Sequence, residues 1–331
     1  MYIVCDKIET EDVEMRSVFA QVMEEMQAED PRLIYMDADL MNSIGMAKYW
    51  KEHPEKTINC GIQEANMIGV AAGMSATGLI PFVHTFGTFA SRRVMDQVFV
   101  SAAYAKLNVR IIGSDPGITA SLNGGTHMPF EDMGMMRCIP NLTIIEPTDS
   151  VMLADIIRQT KDMYGVFYIR LSRKKCEKIY GDGSTFKIGK AAKIREGNDV
   201  TIFASGICVA EAVIAAKMLK AEGINAAVSN MFTIKPIDKE AIIEAAETTG
   251  AIVTAENHNI VNGLGSAVAE VLAENKPVPL ERIGAKDCFG EVGPVDYLKE
   301  RFEMTASDIV KAAKKAIARK INRNLTFETL D

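Results

Sequence analysis

The stretch TINCGIQEANMIGVAAGMSATGLIPFVHT, residues 57–85, predicts a strand, a helix and a second strand in direct succession. TINC is strand-like and breaks at Gly61. A helix rich in small residues follows and is closed by Gly78, after which LIPFVHT is again strand-like. Strands joined by a helix of this length indicate a parallel, doubly wound sheet, so the stretch predicts an α/β fold.

The same alternation of helix and strand extends along the chain in both directions. Residues 10–30 have helical periodicity, and RLIYMD, NVRIIGS, NLTIIEP and GVFYIRLS are strand-like. From about Arg173 the pattern loosens, and we place a linker and an entering hairpin there. A second block of strands and helices follows. We therefore predict two doubly wound α/β domains, at residues 1–175 and 191–331, with a linker at 176–190.

The composition limits the function classes that the chain can belong to. Of 331 residues, 48% are hydrophobic and 24% charged, which is typical of a soluble globular protein. The net charge of −7 argues against nucleic-acid binding. No apolar run is long enough to span a membrane, and the N-terminus has no export signal. Scattered cysteines without close His spacing indicate a cytoplasmic protein with no metal site of its own.

Glu64 stands alone at the head of the small-residue helix in the opening stretch. One interpretation is structural, because acids stabilise helix N-termini through the helix dipole and the free N–H groups. The other is functional, because the apolar residues behind Glu64 would desolvate its carboxylate and let it share a proton with a ligand nitrogen. Local sequence alone favours the structural interpretation.

Aromatic residues and a glycine-rich loop are further candidates. Phe86 and Phe89 lie near a strand-to-helix junction, either as core residues or as a wall on which a heteroaromatic ring stacks. His84 precedes them and is predicted to be a core histidine. His127 follows a Gly-Gly pair in a polar loop, where it could bind a substrate oxygen or move a proton.

These segments together resemble the pyrimidine-binding half of transketolases. The motifs ADLMNS, GIQEANM, FVHTFGTF, GGTHMPFED, IEPTD and IRLSR match in order and spacing. The later motifs VTIFASG, TAENH, GLGS and FGEVG resemble the C-terminal domain of that family. The resemblance covers nearly the whole chain and implies a pyrimidine-binding domain followed by a transketolase C-terminal domain.

The resemblance also implies a cofactor and a partner. Transketolases use thiamine diphosphate, whose diphosphate and metal are held by a large N-terminal domain that the motifs of this chain do not match. The implied protein is therefore one subunit of a split transketolase. A partner chain would hold the diphosphate with Mg²⁺ or Ca²⁺, and the two chains would form an α2β2 heterotetramer.

The cofactor and catalytic residues of the family fall on particular positions of this chain. Glu64 matches the glutamate that bonds the aminopyrimidine N1′ and promotes the tautomer that activates the cofactor. Phe86 and Phe89 match two ring residues of the pyrimidine pocket, and Asp39 matches an acid near the cofactor. His127 matches a histidine that contacts the donor sugar.

Substrate-binding residues carry over less completely. Arg16, Ser43 and Arg173 match three residues that hold the anionic end of the sugar. The position of a family histidine falls near Ser114 in this chain. The position of a family acid that recognises the stereochemistry of the sugar hydroxyls falls on Asn123. Usual pentose-phosphate substrates are therefore only one possibility, and the terminal anion could be phosphate or another group such as sulfonate.

Three functions agree with these observations. The leading one is transfer of a two-carbon ketol unit from a ketose phosphate or a similar anionic ketose to an aldose phosphate. The second is the β subunit of a 2-oxo-acid dehydrogenase, and the third is a non-catalytic scaffolding or regulatory partner.

Overall fold

The structure is a computed structural model that describes residues 1–328 of the chain, and the side chains of residues 1–321. It divides into two compact units. The first comprises Met1–Phe186 together with Phe289–Val295, and the second comprises Lys187–Cys288 and the residues from Asp296 onward. This division assigns a segment from the second half of the sequence to the first unit, which the predicted ranges 1–175, 176–190 and 191–331 do not anticipate.

The first unit alternates strands and helices. Its strands are β1 (Val4–Thr10), β2 (Leu33–Asp37), β3 (Thr57–Asn59), β4 (Ile80–Phe86), β5 (Val109–Ser114), β6 (Leu142–Ile145), β7 (Val166–Leu171) and β8 (Glu177–Tyr180). Its helices are α1 (Met15–Glu29), α2 (Met41–Ile44), α3 (Ala47–Glu52), α4 (Glu64–Ala76), α5 (Phe89–Arg92), α6 (Met95–Gln97), α7 (Asp132–Arg137) and α8 (Ser150–Asp162). A π-helical segment covers Val98–Tyr104.

The main sheet of this unit is parallel. Within the unit its strands pair in the order β6-β7-β5-β4-β2-β3. Every residue of β4, β5 and β7 is buried, as expected for parallel strands covered by helices on both faces. The register aligns Asp37 with His84 and Phe86 with Ser114, so the carboxyl ends of these strands meet at one edge. This edge is where doubly wound sheets bind ligands.

The second unit is a smaller sheet with helices. Its strands are β9 (Ala192–Arg195), β10 (Val200–Ala204), β11 (Ala226–Asn230), β12 (Thr233–Lys235), β13 (Ile252–Asn259) and β14 (Leu280–Ala285). Its helices are α9 (Cys208–Ala221), α10 (Lys239–Thr248), α11 (Leu264–Glu274), α12 (Val295–Arg301) and α13 (Ala306–Glu328). The sheet order is β14-β13-β10-β11-β9, and β9 is antiparallel to β11 while the other pairs are parallel. The predicted fold of two doubly wound α/β domains is confirmed.

Two local predictions differ from the structure. The helix predicted over residues 10–30 is present but shorter, Met15–Glu29, and Thr10 belongs instead to strand β1, which pairs with β8. The hairpin predicted in the linker region is absent from the described residues, because β8 pairs with β1 and β9 pairs with β11. Both errors have one cause, since the true pairing partners lie far away in sequence and local patterns do not reveal them.

The described residues 1–328 also bear on membrane association. No helix among them has the length and apolar character that crossing a bilayer requires.

Candidate active site

The site begins with Glu64, the first residue of α4. Gly61, with φ of 70°, turns the chain between β3 and α4 and brings the helix start to the edge of the sheet. The buried face of α4 places Met67, Ile68 and Ala71 behind the carboxylate, and Glu64 is only 4% exposed. Its Oε1 accepts a hydrogen bond from Nη1 of Arg93 at 2.7 Å. Glu64 is therefore a buried carboxylate held at a helix N-terminus and paired with one arginine.

Three predicted residues form an aromatic cluster. Phe86 ends β4 and Phe89 begins α5, so a single Gly-Thr turn sets their rings 6.1 Å apart between centroids. The His127 ring lies edge-on to both, with centroids 5.9 Å from Phe86 and 5.2 Å from Phe89. The Arg93 guanidinium lies 3.7 Å from the Phe89 centroid, which connects the cluster to Glu64. The structure thus brings together Glu64, Phe86, Phe89 and His127.

The loop that carries His127 consists of two short 3-10 turns, Gly117–Asn123 and Gly125–His127. Between them Gly124 has φ of 78°, a conformation that favours glycine. Thr126 Oγ1 lies 2.9 Å from His127 Nδ1, which orients the ring.

The segment Phe289–Val295 packs against this loop. Ser121 Oγ donates to the Gly293 carbonyl at 2.9 Å. A Cβ on Gly125 would lie 2.1 Å from the Gly290 carbonyl oxygen, so the two backbones touch. Glycine at both positions therefore lets this segment support the His127 loop.

We predict that Gly125→Ala destabilises the protein by about 1–3 kcal/mol, because the added methyl meets backbone that cannot rotate away. Urea denaturation measures the change. Gly73→Ala on α4 is the control, since a Cβ there would meet no atom of the described residues within 4 Å apart from its own stretch of helix, and alanine favours helix. A Gly125→Ala variant as stable as the Gly73→Ala variant would contradict the close packing of the two segments.

A second cluster contains the predicted anion-binding arginines. Arg16 Nη1 and Arg173 Nη1 both donate to the backbone carbonyl of Ser43, at 3.2 and 3.4 Å. Both arginines thus bond to the backbone carbonyl oxygen of Ser43 and not to its side-chain hydroxyl. Each arginine has a carboxylate partner: Glu14 lies 2.6 Å from Arg16, and Asp115 lies 2.5 Å from Arg173. The structure thus brings Arg16, Ser43 and Arg173 together. It adds two acids, Glu14 and Asp115, that were not predicted from the sequence.

The two clusters meet at Phe86. The Arg173 guanidinium lies 4.9 Å from the centroid of that ring, within the range of a cation–π contact. An elongated ligand could therefore contact the aromatic cluster at one end and the arginine cluster at the other.

A buried polar network supports this edge of the sheet. Tyr35 donates to Asp37 Oδ2 at 2.8 Å, and the same oxygen lies 2.7 Å from His84 Nδ1. His84 Nε2 lies 2.9 Å from Ser114 Oγ. These four side chains are fully buried, so the prediction that His84 is a core histidine agrees with its position. The network holds Ser114 in place and thereby positions the next residue, Asp115.

A buried ion-pair network lies where the His127 loop ends. Arg170 on β7 donates to Asp132 at 2.8 and 3.1 Å and to Glu146 at 2.5 Å, and Tyr168 also donates to Asp132 at 2.7 Å. Burial lowers the pKa of Arg170, but the two carboxylates outweigh that effect and raise it above its ordinary value. Asp132 starts α7, so the network anchors the exit of the loop to the sheet.

Two predicted residues lie apart from these contacts. Asp39 is exposed at the end of β2, and its carboxylate accepts a hydrogen bond from Asn59 Nδ2 at 3.1 Å. Asn123 is exposed at the end of the first 3-10 turn. Their proposed roles toward cofactor and sugar remain predictions.

Sequence reasoning missed Arg93, Asp115 and Glu14. Arg93 follows Arg92 directly, and nothing in the dipeptide indicates which of the two contacts Glu64. Arg92 instead donates to the Thr126 carbonyl at 3.1 Å. Asp115 has a detectable signal, since an acid directly after a parallel strand lies at the ligand-binding edge of the sheet.

Comparison with known proteins identifies the relatives of this chain. Residues 11–178 match the family model described as the transketolase pyrimidine binding domain, and residues 189–309 match the transketolase C-terminal domain. The 6-deoxy-6-sulfo-D-fructose transketolase subunit SqwH of Clostridium sp. (strain MSTE9) is 51% identical over 95% of this chain and 98% of its own length. A putative transketolase C-terminal section from Methanocaldococcus jannaschii is 40% identical over 90% of this chain and 94% of its own.

A solved structure agrees with these matches. The structure described as a split gene transketolase, inactive beta4 tetramer, superposes with a TM-score of 0.85 at 40% identity, covering 93% of this chain and 99% of that one. The comparisons favour the transketolase interpretation over the dehydrogenase and scaffold alternatives.

Proposed function

Because the chain belongs to the transketolase family, we propose that it is the pyrimidine-binding and C-terminal subunit of a two-chain, thiamine diphosphate-dependent transketolase. It transfers a two-carbon ketol unit from an anionic ketose to an aldose phosphate. The observation that carries the proposal is the convergence of Glu64, Phe86, Phe89 and His127 at the carboxyl edge of the parallel sheet.

The residues of this edge fit the pyrimidine ring of thiamine diphosphate. A flat heteroaromatic ring needs an apolar wall and a partner for its ring nitrogen, and Phe86, Phe89 and the buried Glu64 carboxylate are groups of those kinds. When bound, the cofactor supplies the nucleophilic carbon that forms the bond to the donor sugar. The role of Glu64 is to hold the proton at the pyrimidine N1′, and the aromatic rings exclude water from that bond.

A partner chain completes the site. We propose that it carries the diphosphate-binding domain and holds Mg²⁺ or Ca²⁺, in an α2β2 heterotetramer. Among the described residues, no group of three or more His, Cys, Asp or Glu side chains is arranged to hold a metal ion. The structural relative's own description as an inactive beta4 tetramer supports dependence on a partner. The six cysteines form no disulfide with one another, which supports a cytoplasmic location.

We further propose that the donor ends in a singly charged anion, with 6-deoxy-6-sulfo-D-fructose as the first candidate. The arginine cluster contains three cations, since Lys174 lies 3.4 Å from Glu14, and two carboxylates. Burial raises the pKa of Glu14, but bonds from Arg16 and Lys174 outweigh it and hold that pKa below its ordinary value. Three basic side chains and two acidic ones leave a formal net charge of one positive unit. A sulfonate carries one negative charge, whereas a phosphate monoester carries nearly two above its second pKa of about 6.

The other predicted residues complete this assignment. His127 contacts the first hydroxyl of the donor, Asn123 lies along the sugar, and Asp39 lies near the cofactor. A sulfonated donor also agrees with the relative at 51% identity, whose described substrate is a sulfofructose.

The test is a ketol-transfer assay with the chain, its partner, thiamine diphosphate and a divalent metal. We expect transfer without lipoamide, and a kcat/KM for sulfofructose about tenfold above that for fructose 6-phosphate. Decarboxylation of 2-oxo acids as the sole activity would contradict the transketolase proposal. Equal or better use of fructose 6-phosphate would contradict the sulfonate assignment and leave ketol transfer standing.

We predict that Asp115→Asn shifts this donor preference toward phosphate by about tenfold, because it raises the net charge of the arginine cluster by one. The ratio of the two kcat/KM values measures the shift. Glu25→Gln, which removes an acid from the ion pair with Arg158 elsewhere on the first unit, is the control and leaves the ratio unchanged. An unchanged ratio in Asp115→Asn would show that charge balance does not set the preference.

A further inference from the structure

Arg93 makes two contacts at once with the groups assigned to the cofactor. Its guanidinium lies 3.7 Å from the Phe89 centroid and donates to Glu64 Oε1 at 2.7 Å. A guanidinium is planar and presents N–H donors in its own plane. Arg93 therefore lies on Phe89 as a flat group with one edge toward Glu64, which is how a pyrimidine ring bonded to Glu64 would lie.

Two planar groups cannot fill the same position. The Glu64 carboxylate is 4% exposed, so it has little surface to offer a second partner while Arg93 is bound. A ring that stacks on Phe89 and bonds Glu64 must take the position of the guanidinium. We propose that Arg93 gates the pyrimidine position, so that its guanidinium and the cofactor ring are alternative occupants. The inference rests on the proposed role of Glu64.

Arg93 is placed to move, whereas Glu64 is not. Glu64 is fixed by the buried start of α4, while the Arg93 side chain is 46% exposed and caps the short helix α5. Its charge can therefore pass into water by rotation of side-chain bonds. Arg92 is bonded instead to the Thr126 carbonyl and to Glu131, so of these two adjacent arginines Arg93 is the one that contacts Glu64. The gate thus requires no movement of the backbone.

Exchange of the two occupants also preserves the bonding of Glu64. While Arg93 is in place, the buried carboxylate has a charged donor, which avoids the large cost of an unpaired buried charge. A pyrimidine ring in that position would share one proton, taken up from water, between its N1′ and the Glu64 carboxylate, so Glu64 would again have a hydrogen-bonding partner. Arg93 thus keeps Glu64 ordered, and it weakens cofactor affinity because the ring must displace the guanidinium before it can bind.

The test uses the full-length chain and thiamine, which carries the pyrimidine without the diphosphate, in equilibrium dialysis. We expect Arg93→Ala to bind thiamine about tenfold more tightly than the wild type, and Arg93→Lys, which keeps the charge but lacks the flat group, two- to threefold more tightly. Arg158→Ala is the matched control, since its side chain is 42% exposed and pairs with Glu25 elsewhere in the unit. It should bind within twofold of wild type.

The outcomes separate the gate from the proposed function. The gate is overturned if both Arg93 variants bind thiamine no more tightly than the wild type. If the wild type binds thiamine too weakly to measure, the gate is overturned when Arg93→Ala shows no measurable binding either. If Arg93→Ala does not fold, as judged by urea denaturation, Arg93→Lys alone decides. The double variant Glu64→Gln, Arg93→Lys tests the proposed function itself. If it binds thiamine as tightly as the single variant Arg93→Lys does, Glu64 does not bind the ring, whatever the role of Arg93.

Discussion

Glu64→Gln should lower kcat of the two-chain enzyme by about 10²- to 10⁴-fold, which is the typical contribution of a side chain that transfers a proton. The substitution preserves shape and burial, and the amide oxygen can still accept a hydrogen bond. It removes the ability to hold a proton at the pyrimidine nitrogen. Initial-rate kinetics with saturating thiamine diphosphate measure kcat.

The control for this prediction is Glu25→Gln. Glu25 is also a helical acid paired with an arginine, but its side chain is 42% exposed and it lies outside both clusters. We expect its kcat to stay within twofold of wild type. A Glu64→Gln enzyme that keeps more than a third of wild-type kcat would be incompatible with the proposed chemistry, and would revive the interpretation of Glu64 as a helix-terminal acid.

Arg170→Met should lower the free energy of unfolding by about 3–5 kcal/mol, the range found when one member of a buried ion pair is removed. Arg170 and Asp132 are fully buried, and Glu146 is nearly so, so the substitution removes the buried guanidinium that both carboxylates contact. Urea denaturation of the isolated chain measures the loss.

Arg158→Met is the comparison for Arg170→Met. It removes an arginine from a half-exposed pair with Glu25, and such pairs contribute no more than about 1 kcal/mol. Similar losses for the two variants would show that the interior network does not depend on Arg170. Because Asp132 begins α7 directly after the His127 loop, Arg170→Met should also raise KM for the donor in the assembled enzyme.

Features that depend on neighbours in sequence were predictable. Helix α4 and strand β4 follow from their periodicity and from Gly61 and Gly78, so the βαβ arrangement was correct. Glu64 at the start of α4 and the pairing of Phe86 with Phe89 across a short turn are likewise local. The parallel sheet then places the ends of its strands at one edge, and this is why residues from separate motifs meet there.

Features that join distant parts of the chain were not predictable. Strand β1 was not predicted, because its partner β8 lies nearly the whole first unit away in sequence. The contact of Phe289–Val295 with the His127 loop has the same origin, since Gly290 and Gly125 touch only in the folded chain.

For this protein, the amino-acid sequence was enough to predict the two α/β domains and the family, and it named the residues that we propose to line the site. Periodicity and turn chemistry are properties of adjacent residues, so they can be read along the chain. The tertiary structure alone decided that Arg93 rather than Arg92 contacts Glu64, and that Asp115 and Glu14 balance the arginines. Stacking and charge pairing depend on distances in space, which local sequence does not specify.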